Sequence, residues 1–180
     1  ASLVGSEMCI RDSVKASVRR PAGNPGNGIQ PKDQLVIYDV DDILYFPPRN
    51  EAGVVIEEDI VMKAGRYAIG IYLTPGTAEI SSNSDGETDA EGYTPSVKFN
   101  HPGNEQEIRE FKTNWLSKKC IVVLRYCSGK PADLIGTPCN PSKLSVSYTG
   151  SNESNTNELT FTQISKGDDI AIYRGTDTLE

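Results

Sequence analysis

Apolar residues recur at helical spacing in one stretch of the chain, residues 104–119. The apolar positions fall at i, i+3, i+7 and i+8 and form one stripe about two turns long: Ile108, Phe111, Trp115 and Leu116. Asn104 can accept a hydrogen bond from a free N–H of the first turn, and Glu107 has the spacing of a capping-box carboxylate. Lys118 and Lys119 suit the negative end of a helix. The pattern predicts a single α-helix over 104–119, docked on a sheet.

The other apolar residues occur in short runs separated by turn residues, which indicates β-strands. Residues 120–124 are apolar throughout and too short for a helix, so they predict a strand buried on both faces. Residues 143–150 and 158–164 alternate apolar with polar positions and predict a hairpin with its turn at 151–157. Prolines exclude a helix from residues 128–142, which we expect to be irregular. Further strands are expected over 34–40, 42–46, 53–57, 59–63, 66–73, 78–81, 94–100 and 169–174.

Short strands with a single helix predict an α+β fold that is mainly antiparallel, a β-sandwich or open barrel with one flanking helix. The length favours one domain, placed at residues 33–176. Residues 13–32 have turn chemistry without an apolar period and predict an extended N-terminal arm, either disordered or ordered by a neighbouring subunit. Residues 82–92 are polar and acidic and predict a long loop. Residues 177–180 are expected to be a short tail.

The first residues have a different character from the rest. The run EMCIRDS, residues 7–13, matches the in-frame translation of a transposase adaptor end used in sequencing libraries. Residues 1–12 resemble neither a signal nor a transit peptide. We therefore expect them to be non-native, and a chain from shotgun assembly could also be truncated at its other end.

Charge narrows the classes of function. The formal net charge is −7 and the sequence pI is about 4.8. No field of Lys and Arg is available to bind phosphates, which argues against specific nucleic-acid binding. No run approaches 18 apolar residues, so we expect no membrane span.

Few residues suit a metal or a nucleophilic site. The chain has one histidine, His101, and three cysteines beyond the suspected adaptor, Cys120, Cys127 and Cys139. Cys120 and Cys127 lie at opposite ends of one predicted strand and cannot bridge, whereas Cys127 and Cys139 flank a Pro/Gly loop and could meet. We expect free thiols, no metal, no cofactor and no enzymatic activity.

One enzyme-like pattern is LVIYDVDDIL, residues 35–44. It resembles the first motif of haloacid-dehalogenase-type phosphohydrolases, in which an apolar strand delivers two aspartates to Mg²⁺ as nucleophile and acid/base. Asp39 and Asp41 have that spacing, and Asp168 and Asp169 could stand for the later acidic pair.

The chain departs from that family after the motif. Residues 45–48, YFPP, replace the expected turn and helix, and a parallel sheet would need several crossover helices where only one helix is predicted. We therefore interpret Asp39, Asp41 and Asp42 as a turn between hairpin strands. A third alternative is a monomeric sandwich that binds a ligand on an exposed aromatic platform, for which these tyrosines are candidates: Tyr45, Tyr72, Tyr93 and Tyr173.

In overall pattern, residues 34–176 resemble the tail tube proteins of tailed phages and related injection machines. The features that carry the resemblance are the loop 82–92, the helix 104–119 with its following strand, LIGTP at 134–138, and the late hairpin. The resemblance implies a small β-sandwich that stacks as hexameric rings around a channel. It also implies a virion protein assembled in the host cytoplasm.

The implied partners are further copies of the chain, other virion proteins, and DNA that passes without specific binding. Stacked rings use heterologous contacts, and acidic side chains facing a channel would repel DNA phosphates. The arm and the acidic loop supply the candidate subunit interface: Arg19, Arg20, Asp85, Glu87, Asp89 and Glu91.

Overall fold

The computed structural model describes residues 16–180, so the adaptor prediction for residues 1–12 lies outside the described residues. One α-helix, α1, spans Gln106–Trp115. The strands are β1 Pro31–Asp39, β2 Ile43–Tyr45, β3 Val55–Ile56, β4 Val61–Met62, β5 Ile69–Tyr72, β6 Glu79–Asp85, β7 Gly92–Pro102, β8 Cys120–Tyr126, β9 Ala132–Ile135, β10 Ser142–Gly150, β11 Asn155–Gln163 and β12 Ala171–Tyr173.

The strands form one large sheet with two halves. The first half pairs in the order β5-β1-β8-β9-β12-β3, and the second in the order β10-β11-β7-β6. A single residue pair, Ser142 with Cys120, joins the halves. All pairings are antiparallel except that of β12 with β3, and β2 and β4 form a separate antiparallel pair. The predicted fold class, mainly antiparallel α+β with one flanking helix, is confirmed.

The main core lies between the two halves. Leu35 and Leu124 of the first half and Phe99 and Phe161 of the second belong to one buried cluster. The rings of Phe99 and Phe161 stack with their centroids 6.4 Å apart. Helix α1 closes this cluster with its apolar stripe, of which Ile108 is buried and Phe111 and Trp115 are partly buried.

A second core covers the opposite face of the first half. Along β1, Leu35 and Ile37 face the main core, whereas Val36 and Tyr38 face the second cluster. Strand β8 alternates in the same way, so it is buried on both faces as predicted. Residues from the segment 40–62 cover this second cluster.

The helix is shorter than predicted at both ends. Glu105 holds the cap position without a side-chain hydrogen bond, and the Asn104 side chain instead accepts from Lys112 Nζ at 2.9 Å. Leu116 lies past the helix and is 53 % exposed. Lys118 lies beyond the end of the helix. Its ammonium group pairs with Asp39 Oδ2 at 2.7 Å. The prediction that Asn104 caps the helix was therefore wrong, because its side-chain oxygen accepts from the Lys112 ammonium group and not from a backbone N–H of the first turn.

Two segments expected to be irregular are ordered by pairing. Residues 132–135 form β9 between β8 and β12. The expected tail, 177–180, pairs with Ala68 through Leu179, and Asp177 accepts a hydrogen bond from Arg125 Nε at 2.6 Å. Pro31 and Lys32, expected in the arm, begin β1. In each case partners distant in sequence supply the order that local composition does not indicate.

The three cysteines of the described residues form no disulfide with one another. Cys127 and Cys139 are exposed and Cys120 is buried. Burial raises the pKa of the Cys120 thiol from 9.0 to about 12, with the nearby Asp39 carboxylate adding to the shift. Cys120 is therefore a core side chain.

Candidate assembly surface

The half-sheet β10-β11-β7-β6 has two chemically different faces. Its inner side chains, such as Val97, Phe99, Leu159 and Phe161, are fully buried. The alternate positions face outward and carry hydroxyl and amide groups, with a hydrogen bond between Ser81 Oγ and Ser96 Oγ at 3.1 Å. The charged residues at outward positions are Glu79, Asp85, Glu158, Lys98 and Lys143. The outer face is a continuous polar surface with nearly balanced charge.

Strand β6 forms an open edge of this half-sheet. Tyr93 exchanges both of its backbone hydrogen bonds with Gly167, which follows β11. The backbone N–H and C=O groups of odd-numbered β7 residues therefore point toward β11, and those of even-numbered residues point toward β6. In the observed register the N–H and C=O groups of Ile80, Ser82 and Ser84 point away from β7, and none of them has a backbone partner in the described chain.

Strand β10 forms the other open edge. Ser142 faces β8, where it pairs with Cys120. The following residues of the same parity, Leu144, Val146 and Tyr148, point their backbone groups the same way, and no backbone partner for them lies within residues 16–180. Both lateral edges of one half-sheet can thus accept a further strand.

The acidic loop expected at 82–92 is shorter than predicted, because residues 82–85 belong to β6 and Gly92 begins β7. The ladder between β6 and β7 continues to the pair Asp85 with Gly92. Only residues 86–91 connect the strands, with a turn in which Ala90 N–H donates to Glu87 C=O at 2.9 Å. Asp89 has a φ of 68° there, a left-handed conformation that aspartate tolerates. The sequence of β6 is rich in serine and asparagine because an edge strand has little apolar surface to bury, and its composition therefore resembles that of a loop.

The hairpin brings the four predicted acidic residues together. Asp85, Glu87, Asp89 and Glu91 are all exposed, and the Asp85 side chain accepts a hydrogen bond from Gly86 N–H at 2.8 Å. We call residues 85–91 the acidic tip. No lysine or arginine occurs in the sequence between Arg66 and Lys98; the basic residues beside the tip come from other segments, with Arg49 lining the same pocket as Glu91 and Lys166 lying against Gly92.

The arm lies apart from the acidic tip. Residues 16–30 are exposed throughout, and Arg20 donates to Gly23 C=O at 3.3 Å. Among the ion pairs of residues 16–180 none involves Arg19 or Arg20. The arm is fixed at its end, where Cys127 N–H donates to Gln30 C=O at 3.0 Å. Within one chain the predicted interface residues therefore form two separate groups.

The aspartates of the phosphohydrolase motif serve a local turn. Asp39 is buried, accepts from Asp41 N–H at 3.1 Å and pairs with Lys118. Its hydrogen bond to Lys118 is the main cause that raises the pKa of that lysine. Strand β1 lies between two antiparallel neighbours, unlike the parallel sheet that the motif requires. The part of the chain that the structure describes contains no cluster of acidic, histidine or cysteine side chains that could hold a metal ion.

The later acidic pair has other partners too. Asp169 accepts from Ser82 Oγ at 2.5 Å and from Ile170 N–H at 2.8 Å. Asp168 and Asp169 line a pocket of about 300 Å³ beside the acidic tip, together with Arg49. They lie near Glu91 and not near Asp39, so the two motifs do not converge.

The proposed aromatic platform is incomplete. Tyr45, Tyr72 and Tyr93 are 42–45 % exposed, but Tyr173 is fully buried. Tyr72 contacts His101, whose Nδ1 lies 2.8 Å from the Tyr72 carbonyl oxygen. His101 lies in β7 and not in a turn, and Tyr173 belongs to the second core.

The helix in the described residues is too short and too polar to cross a membrane. Comparisons of the chain with known proteins find no matching family model, no matching curated protein and no matching solved structure.

Proposed function

We propose that this protein is a self-assembling structural subunit of the tail tube type, which forms rings that stack around a DNA-conducting channel. The observation that carries the proposal is the half-sheet β10-β11-β7-β6, which has an open edge on each side and a polar outer face. Its partners are then further copies, other virion proteins and DNA in passage, and its location is the virion after assembly in the host cytoplasm.

The direction of the strands supports ring formation. Three antiparallel pairings separate β10 from β6, so the two edge strands run in opposite directions. When copies stand side by side in the same orientation, β6 of one copy meets β10 of the next in antiparallel alignment. The two edges are different surfaces, so the contact is heterologous and closes into a ring at a suitable rotation.

The two faces of the half-sheet favour one orientation in such a ring. The inner face is covered by the core and α1, which leaves the outer face free to line a channel. Short hydroxyl and amide side chains dominate that face, and the carboxylates of Glu79, Asp85 and Glu158 oppose only two lysines. Such a lining offers DNA phosphates little to bind, which suits passage without retention.

Replacing Ser84 by proline is expected to abolish ring formation while leaving the subunit folded. The Ser84 N–H points away from β7, so proline removes a donor that only an added strand would use. The free energy of unfolding should change by less than about 1 kcal/mol. Sedimentation and electron microscopy measure assembly, and thermal unfolding measures the fold.

Ser84→Ala is the matched control, because it removes the hydroxyl group and retains the N–H. It should form rings like the unchanged protein. Normal rings from a folded Ser84→Pro protein would exclude the β6 edge from the subunit contact.

A further inference from the structure

A basic pocket lies at one end of the fold. It has a volume of about 370 Å³ and is lined by Lys32, Arg125, Lys130 and Arg174 together with Tyr126 and Tyr173. These residues come from the start of β1, the end of β8, the following turn and the end of β12. An acidic protein therefore concentrates four cations around one cavity.

Two of the four cations have no carboxylate partner within the described residues. Arg125 pairs with Asp177 at 2.6 Å, and Arg174 pairs with Glu57 at 3.1 Å. No carboxylate of residues 16–180 lies within ion-pairing distance of Lys32 or Lys130. The Lys130 ammonium group lies 4.6 Å from the centre of the Tyr126 ring, a contact that holds the cation without neutralising it.

The basic pocket and the acidic tip lie at opposite ends of the molecule. Strand β8 runs between them. Its first residue, Cys120, pairs with Ser142, which lies opposite Gln163, and the Gln163 side chain donates to the Tyr93 carbonyl beside the tip. Its last residues, Arg125 and Tyr126, line the basic pocket. The acidic tip projects along the strand direction, and the open edges of β6 and β10 face sideways. Tip and edges can therefore make contacts in two different directions.

We propose that the acidic tip of one copy docks in the basic pocket of a second copy. This inference rests on the proposed function and deepens it, because it assigns the contact between rings where the open edges provide the contact within a ring. Residues 85–91 bring four carboxylates and no lysine or arginine, and the pocket brings two lysines that pair with no carboxylate of residues 16–180. Opposite charges at opposite ends make the contact heterologous, so it repeats from ring to ring.

The contact is tested by changing the charge of two residues on each side separately. Glu87→Lys with Asp89→Lys takes the tip from four negative charges to no net charge, and Lys32→Glu with Lys130→Glu turns the two unpaired cations of the pocket into anions. Each double variant is expected to form single rings and to lose stacks, because the tip variant loses its net attraction to the pocket and the pocket variant places carboxylates against the carboxylates of the tip. The chain that carries all four substitutions is expected to recover stacking, since the charges are complementary again. Electron microscopy and sedimentation read out rings and stacks separately.

Glu110→Lys with Glu153→Lys is the matched control, since both carboxylates are exposed and line neither pocket. It should stack normally. Stacks of the unchanged protein should also shorten as salt rises, because salt screens the contact. Stacking that survives in both double variants, or fails to return in the fourfold variant, overturns this inference and leaves ring formation standing. An unchanged protein that forms no rings overturns the proposed function and this inference together.

Discussion

Phe161→Ala is expected to lower the free energy of unfolding by about 3–5 kcal/mol, the range for a large aromatic side chain removed from a packed core. Phe161 is fully buried, lies between Val97 and Leu144 across the two ladders and stacks on Phe99. Its ring belongs to the cluster that joins both halves of the sheet, so the cavity would weaken their packing. Urea unfolding followed by fluorescence measures the change.

Ile164→Ala is the control for this substitution. Ile164 follows β11 directly but is 49 % exposed, so its truncation should cost well under 1.5 kcal/mol. Equal losses for Phe161→Ala and Ile164→Ala would mean that the two halves do not pack around Phe161.

Asp177→Ala is expected to destabilise the protein by about 3 kcal/mol, because it leaves a partly buried cation without its partner. The Asp177 side chain is 6 % exposed and pairs with Arg125, which is 28 % exposed. Its other oxygen accepts a hydrogen bond from the Tyr38 hydroxyl group. Burial, followed by this hydrogen bond, raises the pKa of Tyr38. Thermal and urea unfolding measure the loss.

Glu57→Ala provides the comparison for an exposed ion pair. Glu57 and Arg174 are 55 % and 54 % exposed, and exposed pairs contribute less than about 1 kcal/mol. If Asp177→Ala cost no more than Glu57→Ala, residues 177–180 would be a tail, as their sequence alone suggests.

Elements with a strong apolar pattern were predictable. Strand β8 is apolar at five successive positions, and the hairpin of β10 and β11 alternates clearly, because both bury side chains in the main core. Helix α1 was recognisable from Ile108, Phe111 and Trp115. Elements that bury apolar side chains in a core therefore show an apolar run or an apolar period in the sequence.

Elements that depend on distant partners were not predictable. Strand β6 extends through residues 82–85 because β7 pairs with it along its whole length, and polar residues suffice at a solvent-exposed edge. Strand β9 lies within a Pro-rich segment and is ordered by β8 and β12. Local composition does not report these pairings.

One part of the candidate contact between copies was predictable from the sequence and the other was not. The carboxylates of the acidic tip are close in sequence, so their grouping was predictable without the correct secondary structure. The basic pocket combines residues 32, 125, 130 and 174, which only the folded chain brings together. The place of Arg19 and Arg20 in a subunit interface stays a prediction.

Electron microscopy of the purified protein over a concentration series tests the central claim most directly. Edge pairing between β6 and β10 predicts closed rings at high concentration, with stacks that share one axis and enclose a channel. A monomer at every concentration, without rings or tubes, would contradict it.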